Sequence, residues 1–345
     1  MFSHPRLVRA ADNLVREQFC VSPGESVLLT ADSSVERELV DAVVQAVLRQ
    51  GGKPLVALAP SLPFQGGLSD PYVGDSLAAA VVASDVWLDF CFPYHAGSRI
   101  HNAAMEARRC RYGLIAISRA DSLARLYGGV EFSTLLDFNI GFMEFVSEHA
   151  GETARFTCAA GTDVSFVLDK VKLKRPRSMR APGMDTVPGA QSLYPTKDSV
   201  RGRIVIQALF DETYRRLRKP IVIEADGHIT RVHGEAPEDA ASFERALRRA
   251  SGENTLGTFV HFTYGFHPAA RLTGDQFVED IRLPGSNAIG MGLPWWESGG
   301  GENHPDGIVL DQSLWIGDLQ IVDQGRFVGP APLRALHDAM LRRLD

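Results

Sequence analysis

Between residues 20 and 120, short apolar runs alternate with longer amphipathic ones, and this alternation restricts the possible folds more than any other feature of the chain. Ser26-Val27-Leu28-Leu29-Thr30 reads as a buried strand. It is followed by Val35 to Gln50, where Leu39, Val40, Val43, Val44 and Val47 fall on one face of a helix. Ala31-Asp32-Ser33-Ser34 offers caps before that helix, and Gly51-Gly52 ends it. The pairing then repeats. A strand at Pro54 to Leu58 precedes a helix at Asp75 to Ala83, a strand at Val86 to Phe90, a helix at Asn102 to Cys110 and a strand at Tyr112 to Ile117. A helix at residues 1 to about 20, with Leu7, Ala10, Ala11, Leu14 and Val15 inward, precedes them all. Strands joined through helices run parallel, and the helices cover both faces of the sheet. Such sheets bind ligands beyond the carboxyl ends of their strands. Neither GxGxxG nor GxxxxGK[ST] follows the first strand, so a nucleotide ligand is a poor expectation.

Past about residue 150 the pattern changes to β-rich. Phe156 to Leu168 reads as two strands around a turn. Arg203 to Ile206, Pro220 to Glu224 and His228 to His233 follow, with a turn at Ala225-Asp226-Gly227. A helix at Pro237 to Arg249 interrupts them, and one at Pro332 to Leu344 closes the chain. The expected architecture is α/β: a doubly wound parallel-sheet, Rossmann-like domain over 1–150, then an α+β domain over 151–345 carrying any metal site. At 345 residues the chain has room for both.

Charge narrows the class of partner. The net charge of -6 is spread out with no basic stripe, so neither nucleic acid nor an anionic membrane is an expected partner. Apolar runs such as Leu77 to Ala83 are too short to span a bilayer, and the first residues lack a signal pattern. Cys20, Cys91, Cys110 and Cys158 have no CxxC spacing and read as free thiols in a reducing, cytoplasmic setting.

The chemistry-bearing stretch is Gly301-Glu302-Asn303-His304-Pro305-Asp306. In extended chain His304 and Asp306 leave the backbone on the same side and can aim at one point. Gly299-Gly300-Gly301 before them gives slack. Such a pair arises by chance, and His233-Gly234-Glu235 is a near copy, so a third ligand is needed. His261 lies on one strand face with Phe259 and Thr263, and His267 is close by. A lone histidine on such a strand is more commonly a satisfied core residue, and His267 beside Pro268 could be structural.

Taken as a set, Gly161-Thr162-Asp163-Val164, the segment His261 to Pro268 and His304-Pro305-Asp306 resemble the M29 aminopeptidase fold group across both domains. The departures fall at the metal site. The peptidases carry a glutamate where His261 stands. They place a ligand histidine in a segment resembling G-T-x-H-I-A-L-G, which here reads Gly285 to Gly292 with Ala288 at the ligand position. The stretch Met184 to Pro188 keeps one acid, Asp185, so the carboxylates of a dinuclear centre are missing. The histidine-for-glutamate change is similar to the pattern of 2,5-dihydroxypyridine 5,6-dioxygenases, which share this fold. Val260 to Pro268 matches their S-H-I-G-W-G-L-Q-P segment, and His304-Pro305-Asp306 matches their H-L-D.

That resemblance implies Fe(II) held by His261, His304 and Asp306, with three positions left for substrate and O₂. It implies an extradiol-type ring-opening dioxygenase acting on a small hydroxylated aromatic or N-heteroaromatic compound, and a homo-oligomer. It also implies a pocket histidine, His95 in Phe92-Pro93-Tyr94-His95-Ala96, as acid or base at a strand's carboxyl end, with Tyr94 beside it. Where those enzymes grip the ring with an acid and histidines, Lys172 to Tyr194 offers Lys174, Arg175, Arg177, Arg180 and Asp185. A carboxylated ring held by Arg180 fits that change, with Asp185 and His267 as further substrate contacts; a solvated basic loop fits it equally. Trp295-Trp296 could simply pack, but a wall of an aromatic pocket or a subunit contact is the expectation. The competing readings are a metal-dependent M29 aminopeptidase and an inactive small-molecule binding protein of the same fold.

Overall fold

The computed structural model describes residues 4–252, 254–294 and 304–340. The chain divides into two compact units. One takes residues up to Asp137, Arg175–Pro188 and the chain from Ala339; the other takes Phe138–Lys174 and Gly189–Asp338.

The first unit is built on a parallel sheet of five strands. These are β1 (Ser26–Ala31), β2 (Lys53–Leu58), β3 (Val86–Asp89), β4 (Arg111–Leu114) and, from much later in the chain, β7 (Gly183–Thr186). They lie in the order β2-β1-β3-β4-β7. β1 and β3 are buried almost throughout, as expected of strands covered on both faces. Helices Pro5–Asp12, Arg37–Arg49, Asp75–Ala83, Arg99–Glu106 and Ala120–Gly128 supply the crossovers and covering layers. Leu28, Trp87, Tyr112, Ile100 and Ala104 pack together beside the sheet. Crossing order puts the turn after β3 at the carboxyl edge of the sheet, and that turn carries Tyr94 and His95.

The second unit is one large antiparallel sheet. Its strands are β5 (Thr153–Thr157), β6 (Asp163–Val167), β8 (Ala190–Leu193), β9 (Arg201–Phe210), β10 (Tyr214–Asp226), β11 (His228–Gly234), β12 (Thr258–Gly265), β13 (Asn287–Gly292), β14 (Asp306–Val309), β15 (Ser313–Ile316), β16 (Leu319–Asp323) and β17 (Arg326–Phe327). The path runs β17-β16-β15-β5-β6-β9-β14-β13-β12-β8, and β10 with β11 extends it from β9. Phe262 stacks on Phe156 and Phe166 with centroids 5.6 and 4.4 Å apart, which anchors the middle of the sheet. Helix Pro237–Ser251 buries Phe243, Ala246 and Leu247. Helix Phe132–Glu148 and the short helix Phe277–Asp280 complete the α content of this region with Ala331–Ala339.

The α/β class expected from the sequence is the class observed, as a parallel sheet and a curled antiparallel one. All four cysteines are free. Among the described residues, no helix is long and apolar enough to cross a membrane.

Candidate metal centre

Three adjacent strands bring His261, His304 and Asp306 together. Gly290 of β13 pairs with His261 of β12 on one side and with Asp306 of β14 on the other. A row across the sheet therefore sets the two ligand-type side chains either side of a glycine. A Cβ on Gly290 would sit 2.4 Å from His261 Nε2, so glycine at this position makes room for the ring. His304, two residues before Asp306, joins from the extended chain leading into β14. His261 Nε2 lies 3.3 Å from His304 Nε2 and 3.8 Å from Asp306 Oδ1, and His304 Nε2 lies 3.9 Å from Asp306 Oδ2. Metal–nitrogen bonds of about 2.1 Å at right angles set ligand atoms about 3 Å apart, so the three atoms surround a space of ion size.

The electrostatics fit a cation as well. Burial pushes the Asp306 carboxyl up to about 8. Burial, and then the neighbouring His304, push His261 down to about 3, so its imidazole is neutral. The neutral His261 ring, facing His304 beside the buried Asp306 carboxyl, is part of a set that is costly alone and favourable around a divalent ion. The far nitrogen of His261 is oriented by the sheet. Thr263 Oγ1 lies 3.0 Å from His261 Nδ1, and Ser192 Oγ of β8 lies 2.7 Å from Thr263 Oγ1. Among the described residues, the cluster consists of these three potential ligands. Ala288, two residues before Gly290, carries no donor, and its register partners are Thr263 and Ile308.

A second cluster lies on the first unit. Asp89 ends β3 and is fully buried. His95 Nδ1 is 3.1 Å from each oxygen of its carboxylate, and the His95 backbone N–H donates to it at 2.9 Å. Thr30 Oγ1 of β1 and the Tyr112 hydroxyl of β4 donate at 2.7 and 2.9 Å. Asp89, Cys91 and His95 bring ligand-type atoms within 4.8 Å of one another. Burial, with Asp89 and Asp32 nearby, pushes the Cys91 thiol far above its usual range, so it offers no thiolate. Sequence reasoning found His95 but neither Asp89 nor the hydroxyls around it. The available signal was the polar residue closing an apolar strand, Val86-Trp87-Leu88-Asp89, six residues before the histidine.

The remaining expected contacts fall as follows. Tyr94 is half-buried, its ring 6.3 Å from Phe92. Arg180 is exposed on the first unit. Asp185 sits in β7, buried, accepting from Gln18 Nε2 at 2.8 Å with Arg175 3.9 Å away. His267 is fully buried past the end of β12. Its Nδ1 accepts from the Ala269 N–H at 3.2 Å, and its ring lies so close to Gly189 that a Cβ there would be 2.7 Å away. The near-copy residue His233 instead meets Glu224 across the β10–β11 hairpin at 3.1 Å. Trp295 and Trp296 lie outside the described residues.

Comparison with known proteins bears on the chain's family and fold. The family model of NicX, 2,5-dihydroxypyridine 5,6-dioxygenase, matches residues 12–289. That span includes His95 and His261 and stops short of His304 and Asp306. The solved 2,5-dihydroxypyridine dioxygenase of Pseudomonas putida KT2440 is similar in fold over 95% of this chain and 98% of its own, with a TM-score of 0.71 and 19% identity. AmpT of Thermus thermophilus, an M29 aminopeptidase, is similar over 94% of this chain and 99% of its own, with a TM-score of 0.62 and 12% identity. Among curated proteins, none matches the chain in sequence.

Proposed function

The chain belongs to the 2,5-dihydroxypyridine 5,6-dioxygenase family, and from that membership we propose an Fe(II)-dependent, extradiol-type ring-opening dioxygenase acting on a hydroxylated aromatic or N-heteroaromatic compound. The observation that supports iron is the convergence of His261, His304 and Asp306, two imidazoles and one carboxyl group, within 3.9 Å of one another. This is the donor set of the 2-His-1-carboxylate centres, which leave positions open on one face. Held by His261, His304 and Asp306, Fe(II) would supply a Lewis-acidic, redox-active centre for the ring hydroxyl and O₂. The peptidase alternative lacks support at the residues that would hold a second ion, since Ala288 has no ligand atom and Met184 to Pro188 keeps a single acid, Asp185.

In this reading His95 moves the proton. Its Nε2 accepts hydrogen from the substrate hydroxyl, leaving the electron pair on that oxygen, and the imidazolium returns the proton later in the cycle. Arg180 contributes a carboxylate contact, and Tyr94, Asp185 and His267 complete the substrate-facing set. Of the cations in the stretch, Lys172, Arg175 and Arg177 pair with Asp169, Asp185 and Asp137, whereas Arg180 keeps its guanidinium exposed.

Anaerobic iron loading followed by metal analysis tests the centre. About one iron per chain is expected for the wild type and a loss of most of it in His304→Ala. Iron-dependent oxygen uptake with hydroxylated pyridines or benzoates is expected in the wild type. Two tightly held zinc or cobalt ions with release of amino acids from peptides would replace this reading by the aminopeptidase one. Background oxygen uptake across the panel would leave a binding protein.

A further inference from the structure

We infer that Asp89 is the positioning residue for His95: it holds the Nδ1–H, so that Nε2 carries the lone pair that takes the substrate's proton. The inference rests on the proposed role of His95 and adds the group that makes that role possible.

The hydrogen bonds around Asp89 fix its protonation. Trp87 Nε1 can only donate, and it donates to Thr30 Oγ1 at 2.9 Å. The Thr30 hydroxyl hydrogen is thereby directed to Asp89 Oδ1, 2.7 Å away. The Tyr112 hydroxyl, held protonated by burial and by Asp89 itself, donates to Oδ2. The backbone N–H groups of Cys91 and His95 donate as well. A carboxylate facing four donors has no use for its own proton and is ionised. Against an ionised carboxylate, His95 Nδ1 must bear hydrogen, because a lone pair there would be repelled from both oxygens at 3.1 Å. The neutral ring then has its lone pair on Nε2. That atom is buried and has no hydrogen-bond partner among the described residues. A buried acceptor without a partner calls for an explanation, and a proton acceptor that waits for substrate provides one.

The surroundings also set the ring's affinity for a proton. Around His95 are Asp89 from β3, Asp32 after β1, Tyr112 from β4, which shares the Asp89 carboxylate, His101 from helix Arg99–Glu106, and Cys91 from its own loop. Burial lowers the His95 value, but Asp89 and then Asp32 outweigh it, so the net direction is upward. His101 opposes them weakly, since burial keeps that ring neutral. The cluster is a hydrogen-bonded knot and not a metal site. Its carboxylate is filled by donors, its histidine presents N–H toward it, and its thiol stays protonated.

Nitrogen-15 NMR of the His95 ring in the metal-free protein tests the inference without turnover. The wild type should show the Nδ1–H tautomer and a ring pKa above the ordinary value of about 6.5. In Asp89→Asn that pKa should fall. The acid limb of the kcat/KM profile should move to lower pH with it, kcat/KM should drop about 10- to 100-fold, and iron content should be unchanged. Tyr112→Phe keeps the ring against Trp87, removes one donor to Asp89 and should move the His95 pKa the other way. It serves if Asp89→Asn does not fold. A wild-type Nε2–H tautomer, or a His95 pKa indifferent to both substitutions, overturns the inference. Full turnover in His95→Ala overturns the proposed role of His95 instead, and the NMR result separates the two failures.

Discussion

In the metal-free protein the Asp306 side chain holds its proton up to a pH of about 8, because burial penalises the anion. An acid whose folded value lies above its unfolded one stabilises the fold less as pH rises from the unfolded value toward the folded value. For His261, lowered to about 3, the loss comes on the other side, as pH falls below its ordinary value. From about pH 6.5 to 8 the Asp306 effect remains, and the raised His95 adds a loss of the same sign. The melting temperature of the metal-free protein should therefore fall across that window, and Asp306→Asn should make the fall shallower, leaving the His95 part. Added Fe(II) should raise the wild-type melting temperature more at pH 8 than at pH 6.5, since the ion replaces the proton. A metal-free melting curve that is flat over the window, with Asp306 intact, would contradict the buried-carboxylate account. At this scale the pairing of His304 with Asp306 was legible, because side chains two apart in extended chain share a side. That His261 joins them was not legible from spacing. It depends on β13 lying between β12 and β14 with Gly290 in register with both, and only the resemblance singled that histidine out.

Among elements, β12 does the most to shape the centre. Its alternation sets His261 and Thr263 on one face, and its neighbours complete the row: Gly290 from β13 gives space, Ser192 from β8 orients the threonine. Thr263→Val keeps the shape and the β-branching but removes the hydroxyl at His261 Nδ1. Its iron affinity, measured by competition with a chelator, should fall about 10- to 100-fold with little change in folding. Unchanged affinity would mean the sheet alone orients the ring. The sequence made β1, β3 and the hairpin β10–β11 legible, since apolar runs and a Gly-led turn carry strong local signals. It did not make β7 legible. Gly183–Thr186 is four residues long, begins with a glycine at positive φ, and owes its place to pairing with β4 rather than to propensity. Helix Phe132–Glu148 went unread because it is apolar on more than one face, and the period is then hard to see.

For the molecule as a whole, charge poses a question about substrate. The net charge is -6, so the average field opposes an anionic ring, and any carboxylated substrate needs a local cation. The segment 172–180 concentrates five cations, but three of them are committed: Lys172 to Asp169 at 2.6 Å, Arg175 toward Asp185 at 3.9 Å, and Arg177 to Asp137 at 2.5 Å. Lys174 and Arg180 remain exposed, and only the arginine can make two parallel charge-assisted hydrogen bonds to a planar carboxylate. Arg180 is also anchored at its base, where the neighbouring Met179 is buried and its N–H donates to the Gln18 carbonyl at 2.6 Å. A side chain on a fixed base loses less freedom on binding, which favours a real contact over a solvated loop. Arg180→Ala should then raise KM for a hydroxylated aromatic acid about ten- to a hundredfold. The amide and the decarboxylated analogue should change far less, and added salt should weaken binding of the acid in the wild type but not in the variant. Equal changes for all three compounds would remove the carboxylate from the proposed substrate, and a neutral dihydroxypyridine would then fit the centre better.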